Sequence, residues 1–154
     1  MENNITDLTI NESIRILSNN YLGHLAFISK KDPFIIPITY YYYETNNSII
    51  CYSAEGHKIK AMRKNTSVSL EVEEIESNSN WQTVLVHGTF EELHGSDAKF
   101  YLHQFAQGVK SILTRKEDTL PGFISDFSSK LYSKGIPVVY RIKIVEITGK
   151  RKET

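Results

Sequence analysis

Apolar and polar positions change period several times along this chain, and each change marks a new element. Thr9-Ile10-Asn11-Glu12 has capping-box spacing, so a short helix is predicted after it, with Ile10, Ile14 and Leu17 on one face. Asn19-Asn20 ends that pattern and Gly23 begins the next. Residues 25–29 and 34–43 are dense in aromatic and β-branched side chains, and Lys31-Asp32-Pro33 reads as the turn between them. A second turn at Glu44-Thr45-Asn46-Asn47 leads to a strand over 48–53, and a helix over 57–64 follows, with Ile59 and Met62 inward. Val68, Leu70 and Val72 alternate with Ser69, Glu71 and Glu73, the pattern of a strand with one wet face. Residues 81–93 form the next expected strand, with Val84, Val86, Gly88 and Phe90 on one face.

From Ser96 the period lengthens. Tyr101, Leu102, Phe105, Val109, Ile112 and Leu113 fall on one helical stripe, free either to fill the monomer core or to meet a second chain. Leu120-Pro121-Gly122 breaks it, and residues 123–132 read as a second short helix. A final strand is expected over 137–147, where Val139, Arg141, Lys143 and Val145 alternate against Val138, Tyr140, Ile142 and Ile144. The tail Gly149-Lys150-Arg151-Lys152 is basic. Six strands with few helices imply a mainly β fold, an antiparallel barrel that is closed or nearly so, since closure removes exposed strand edges. The 154 residues, without repeats or linkers, are expected to make one domain over 1–154.

Composition narrows the class. The formal net charge is zero, which argues against a general nucleic-acid or membrane-surface binder, because both need an excess of charge. One cysteine permits no intrachain disulfide and suits a reducing compartment. The start, MENNITDLTINES, lacks the apolar core of a signal peptide, and FIIPITYYYY is too short to span a bilayer. A cytoplasmic location is expected.

Recognisable acid–base chemistry is sparse. The histidines show no ligand spacing, so no metal is expected, and neither a GxSxG turn nor a phosphate-binding glycine loop is present. Cys51, between Ile50 and Tyr52, reads as core packing. Two stretches stand out. Pro37 next to Thr39 and Tyr40 interrupts a strand's hydrogen-bond ladder and frees backbone groups that could face a flat ring, though a tyrosine-rich strand alone is ordinary. CYSAEGHKIKAMRK runs from a strand through a small-residue turn into a cation-rich helix, which is either an anion site at a helix start or a turn and a solvated face.

The ordered set is more specific than any member: Gly23-His-Leu-Ala26, Pro37-Ile-Thr-Tyr40, Tyr52-Ser-Ala-x-Gly-x-Lys58, Trp81-x-Thr-Val84 with Gly88, and Ile147-Thr-Gly-Lys150. Over about residues 10–150 it resembles the pyridoxamine 5′-phosphate oxidase-like FMN-binding superfamily, in its nitroimidazole-resistance-like branch. The resemblance implies a six-stranded split β-barrel homodimer with FMN at the subunit interface. Pro37, Ile38, Thr39 and Tyr40 would line the flavin ring, largely through backbone groups; Ser53, Ala54 and Lys58 would hold its phosphate; Trp81 and Thr83 would pack and hydrogen-bond nearby, from the same or the partner chain. Lys150 belongs to the same set, and Glu55 should point outward.

Tyr52 stands where the branch often has histidine before Ser-Ala, and Thr83 keeps the hydroxyl of the family's serine. True pyridoxamine phosphate oxidases carry a further C-terminal substrate segment, so vitamin B6 oxidation is not expected of a chain ending at Thr154. The implied activity is flavin-dependent oxidoreduction, with NAD(P)H as donor and a small electron-poor acceptor. A flavin-storing or flavin-sensing module, and a haem- or deazaflavin-binding relative, are the alternatives.

Overall fold

In the computed structural model, residues 4–117 and 137–154 are described. The expected break at 120–122 and the helix at 123–132 lie outside them. The element order is β1 (Ile5–Asp7), α1 (Ile10–Asn19), β2 (Leu22–Ser29), β3 (Asp32–Thr39), β4 (Tyr41–Tyr43), a single 3-10 turn, β5 (Ser48–Ser53), α2 (His57–Lys64), β6 (Ser67–Ser77), β7 (Asn80–Leu93), α3 (Gly95–Glu117) and β8 (Val138–Lys152).

The strands form one antiparallel sheet in the order β3-β2-β6-β7-β8-β5-β4, with β1 paired to β8. The class is mainly β, as expected, but the described residues form eight strands rather than six. The stretch expected as one strand over 34–43 breaks at Tyr40 into β3 and β4, which lie at opposite ends of the sheet. Chain continuity through Tyr40, rather than a hydrogen-bonded seam, therefore links the two ends of a split barrel. The break is fixed from inside: the Tyr40 ring is fully buried, its hydroxyl donates to the Leu17 carbonyl at 2.8 Å, and its N–H donates to the Tyr21 carbonyl at 2.8 Å.

α1 has the capping box, with Thr9 and Glu12 bonding each other's backbone N–H. Its buried face is Ser13, Ile16 and Leu17, whereas Ile10, expected inward, is 66% exposed because it sits in the first turn beyond the sheet's cover. The main core joins Leu25, Leu70, Val84, Val86 and Ile142 to Leu17 of α1 and Ile59 and Met62 of α2. A second core lies under α3, where Phe105, Val109 and Leu113 pack on Ile50. The α3 stripe thus serves the monomer. β5 is sandwiched between the two cores, which is why residues 48–51 are buried in unbroken succession. Gly108 lets α3 approach β4 closely: a Cβ there would stand 2.2 Å from the Tyr41 ring.

β8 runs past the expected end at 147 to Lys152, so the basic tail is strand rather than loop. Its register against β7 shifts at His87/Gly88, where Val145 is the extra residue of a β-bulge. The bulge reverses the alternation: Tyr140, Ile142 and Ile144 face inward before it, Ile147 and Gly149 after it. No helix among the described residues is long and apolar enough to cross a membrane.

Candidate functional site

Among the described residues β3 is an end strand that pairs with β2 alone, so one backbone edge is left outside the ladder. Pro37 and Thr39 turn outward from the core, while Ile38 and Tyr40 turn inward. The β4–β5 register pairs Tyr41 with Ile50, three residues before Ser53. At the other end, the His57 ring meets Phe34 edge-on at 5.1 Å and its Nε2 lies 2.9 Å from the Ser29 hydroxyl. The start of α2 thus rests beside Phe34 of β3. Phe34 against His57 is the contact between β3 and the start of α2; Pro37, Ile38 and Thr39 at the end of β3, and Ser53, Ala54 and Lys58 at the β5–α2 junction, are the two sides of the candidate cleft. Tyr40 reaches it through its main chain only, because its ring is committed to Leu17.

The electrostatics of the cleft favour an anion. α2 begins at Gly56 with no side-chain cap and no acidic residue in its first turn, so its leading N–H groups remain available. Glu55, which would oppose an anion, is held away in an ion pair with Arg63, as expected of it, and Arg63 also binds Glu92. Lys58 is half-buried, and among the described residues no carboxylate pairs with it. Desolvation holds its pKa below the usual 10.5, with Cys51 acting in the opposite sense. The Ser53 hydroxyl donates to the Ala54 carbonyl at 2.9 Å, so it can serve an anion only by rotating away from that carbonyl.

The remaining expected residues form a second cluster. Thr83 is the cross-strand partner of Lys150, and Lys150 of Asp7. Lys150 is exposed and ion-paired with Asp7 at the β1–β8 seam. The Thr83 hydroxyl donates to Glu71 at 2.8 Å. Glu71 also lies 3.2 Å from His24 Nδ1, and its hydrogen bond raises the pKa of neighbouring Glu73. Trp81 is half-buried two residues along β7. Three strand spacings, about 14 Å, separate β7 from β3 in the sheet, and the cluster bridges them, because Glu71 and His24 lead from Thr83 to Pro37, the cross-strand partner of His24.

A sequence model of the pyridoxamine 5′-phosphate oxidase family matches residues 9–151. The chain belongs to this family. Among curated relatives, an uncharacterized protein of Rhizobium meliloti is 30% identical over 130 residues, covering 84% of this chain and 83% of its own. A solved FAD-binding protein of Mesorhizobium loti superposes with a TM-score of 0.71 at 28% identity, covering 97% of this chain and 99% of that one. A candidate 5-nitroimidazole antibiotic resistance protein of Bacteroides thetaiotaomicron shares the fold, with a TM-score of 0.66 at 12% identity over 98% of this chain and 93% of that one. An FAD and haem binding protein of Mycobacterium smegmatis gives 0.69 at 16% identity, over 99% of this chain and 75% of that one.

Within this family fold, two residues that motif reading passed over shape the site. Arg63 removes Glu55 from the α2 N-terminus, and Glu71 holds the Thr83 hydroxyl. A cation eight residues after Glu55 gives no helical contact signal by spacing, because Glu55 precedes the helix. Glu71 and Thr83 meet only through the β6–β7 pairing.

Proposed function

We propose that the chain is an FMN-binding flavoprotein, and that it works as a flavin-dependent oxidoreductase on a small electron-accepting molecule with NAD(P)H as donor. What supports this reading is the start of α2, uncapped and without an acidic residue in its first turn, with a half-buried lysine that has no carboxylate partner among the described residues. The residues fit the group. Backbone of Pro37–Tyr40 would meet the ring edge, and the α2 N–H groups with Lys58 would hold the phosphate. Bound there, a flavin supplies the electron-transfer chemistry, which suits a chain with no evident acid–base set. The chain's own part is to orient the ring on a rigid strand edge, to neutralise the phosphate, and to keep Glu55 off it.

The reading includes a homodimer in which the partner's Trp81 and Thr83 complete each flavin site. The outward face of the sheet leaves Leu22, Ile35, Ile75 and Leu85 from 36% to 70% exposed, apolar area that a second chain would cover. It also includes a cytoplasmic location, supported by the lone buried thiol of Cys51, whose pKa is pushed up to about 12 by burial.

The test is the purified protein. A yellow protein that releases FMN and scatters light as twice the 17.7 kDa chain is expected. A colourless protein that takes up no added FMN would overturn the cofactor, and a monomer with flavin bound would overturn the dimer. Chromatography of the released cofactor separates FMN from FAD, which the Mesorhizobium loti protein binds. Oxidation of NAD(P)H coupled to an acceptor separates an enzyme from a storage or sensing module, and a haem absorption band would assign the cleft to haem.

A further inference from the structure

What Thr83 can offer a ligand is set by the place of one proton. Its hydroxyl carries a single proton and two lone pairs. The 2.8 Å bond to Glu71 Oε2 uses the proton, because a carboxylate only accepts. The bond is part-buried and crosses from β7 to β6: Thr83 pairs with Glu73 in the register, and Glu71 lies two residues before Glu73 on the same face. Glu71 itself is opposite Leu85, so the whole group lies on the face that a second chain would cover.

Glu71 is held from two more sides. Its Oε1 lies 3.2 Å from Nδ1 of His24, its partner in the β2–β6 register, where a ring N–H can donate to it. Its hydrogen bond with Glu73 raises the Glu73 pKa, helped by desolvation and by the Glu71 charge and opposed by His24, so a proton between the two carboxyls rests on Glu73 and Glu71 stays the acceptor. Lys150, the β8 partner of Thr83, is paired with Asp7 and does not compete for the carboxylate.

We infer that Glu71 is a positioning residue of the flavin site: it fixes the Thr83 hydroxyl as an acceptor, so that Thr83 serves a ring N–H of the flavin and not one of its carbonyls. The inference rests on the reading in which the partner's Thr83 completes each site. A free hydroxyl serves either kind of group by rotating. One tied to a carboxylate must first give up a charge-assisted bond, roughly twice as strong as a neutral one. His24 and Glu73 act one step further out, by holding Glu71.

The test loads the full chain with FMN isotope-labelled at its ring nitrogens and carbonyl carbons. Thr83→Val should move a ring N–H resonance more than either carbonyl carbon. Glu71→Ala should weaken FMN binding about 2- to 10-fold, the worth of one neutral hydrogen bond, and should have no further effect in the Thr83→Val background, since it acts only through that hydroxyl. Glu71→Gln, which keeps an acceptor oxygen, and Thr83→Ser, which keeps the hydroxyl, should each retain most of the affinity. Melting temperature and light scattering of each apo-variant separate a loss of binding from a loss of fold or assembly. If Glu71→Ala does not fold, Glu71→Gln decides: affinity lost with the charge alone overturns the inference. So do a carbonyl carbon that moves more than any ring N–H, additive losses in the double variant, or equal losses from Glu71→Gln and Glu71→Ala. A chain that takes up no FMN overturns the flavin reading and this inference together, whereas the outcomes above overturn this inference alone.

Discussion

Lys58 and Lys150 both sit two or fewer residues after a glycine in a basic stretch, yet the fold gives them opposite circumstances. Lys58 is half-buried at the start of α2, without a carboxylate partner among the described residues, and desolvation lowers its pKa. Lys150 is exposed, stands in the middle of a three-strand row, and is paired with Asp7. A desolvated cation without a counter-charge gains strongly when an anion arrives, because the anion restores what burial removed. An exposed, paired cation has little left to offer a ligand, since surface pairs are worth about 0–1 kcal/mol and are screened. The lesson is that the charge count of a stretch does not mark an anion site; the absence of a competing carboxylate does. The structure arranges that absence through Arg63, which takes Glu55.

The largest expected effect tests this contrast directly. Lys58→Ala should remove a charge-assisted contact of about 1.5–3 kcal/mol, a loss of roughly 10- to 150-fold in FMN affinity. Lys150→Ala should change it less than about 2-fold, as should Lys60→Ala on the exposed face of α2. Titrating apo-protein with FMN and with riboflavin, which lacks the phosphate, provides the measurement. Equal weakening of both ligands by Lys58→Ala, or of neither, breaks the contrast.

A part of the same loss should appear with pH alone. The free protein's Lys58 titrates below its usual 10.5, and a bound phosphate would raise it again. The preference for FMN over riboflavin should therefore be complete below the free protein's Lys58 pKa and decline as pH rises through it. Fluorescence titrations from neutral to alkaline pH should show the decline in the native protein and not in Lys58→Ala. A flat native profile would place the phosphate elsewhere.

The smallest effect concerns the second cluster. Thr83→Val removes a partly buried hydroxyl worth about 0.5–1.5 kcal/mol as a hydrogen bond. If the partner's Thr83 completes the flavin site, FMN affinity should fall by more than the stability of the apo-protein. Chemical denaturation and FMN titration of the same variant decide it. A large loss of apo stability with unchanged affinity would show that Thr83 serves only Glu71.

Much of this was legible in the linear pattern. Capping at Thr9–Glu12, the wet strand at 67–77, the α3 stripe and the ordered motif set follow from periods and spacings that belong to single elements. Periodicity could not show that residues 34–43 split at Tyr40, because Tyr40 stays buried as alternation requires; the break lies in where its main chain goes. It also could not phase β8 beyond Val145, since a bulge is a mismatch between two strands and is written in neither.

The sequence by itself determined the family, the mainly β class and a set of candidate residues, because hydrophobic alternation and short motifs are local properties of the chain. The tertiary structure alone decided which of those residues are free to act. It buried the Tyr40 ring, gave Lys150 to Asp7 and Thr83 to Glu71, and left Lys58 half-buried without a carboxylate. Burial and partnership are relations between residues distant in sequence, and only the folded chain sets them.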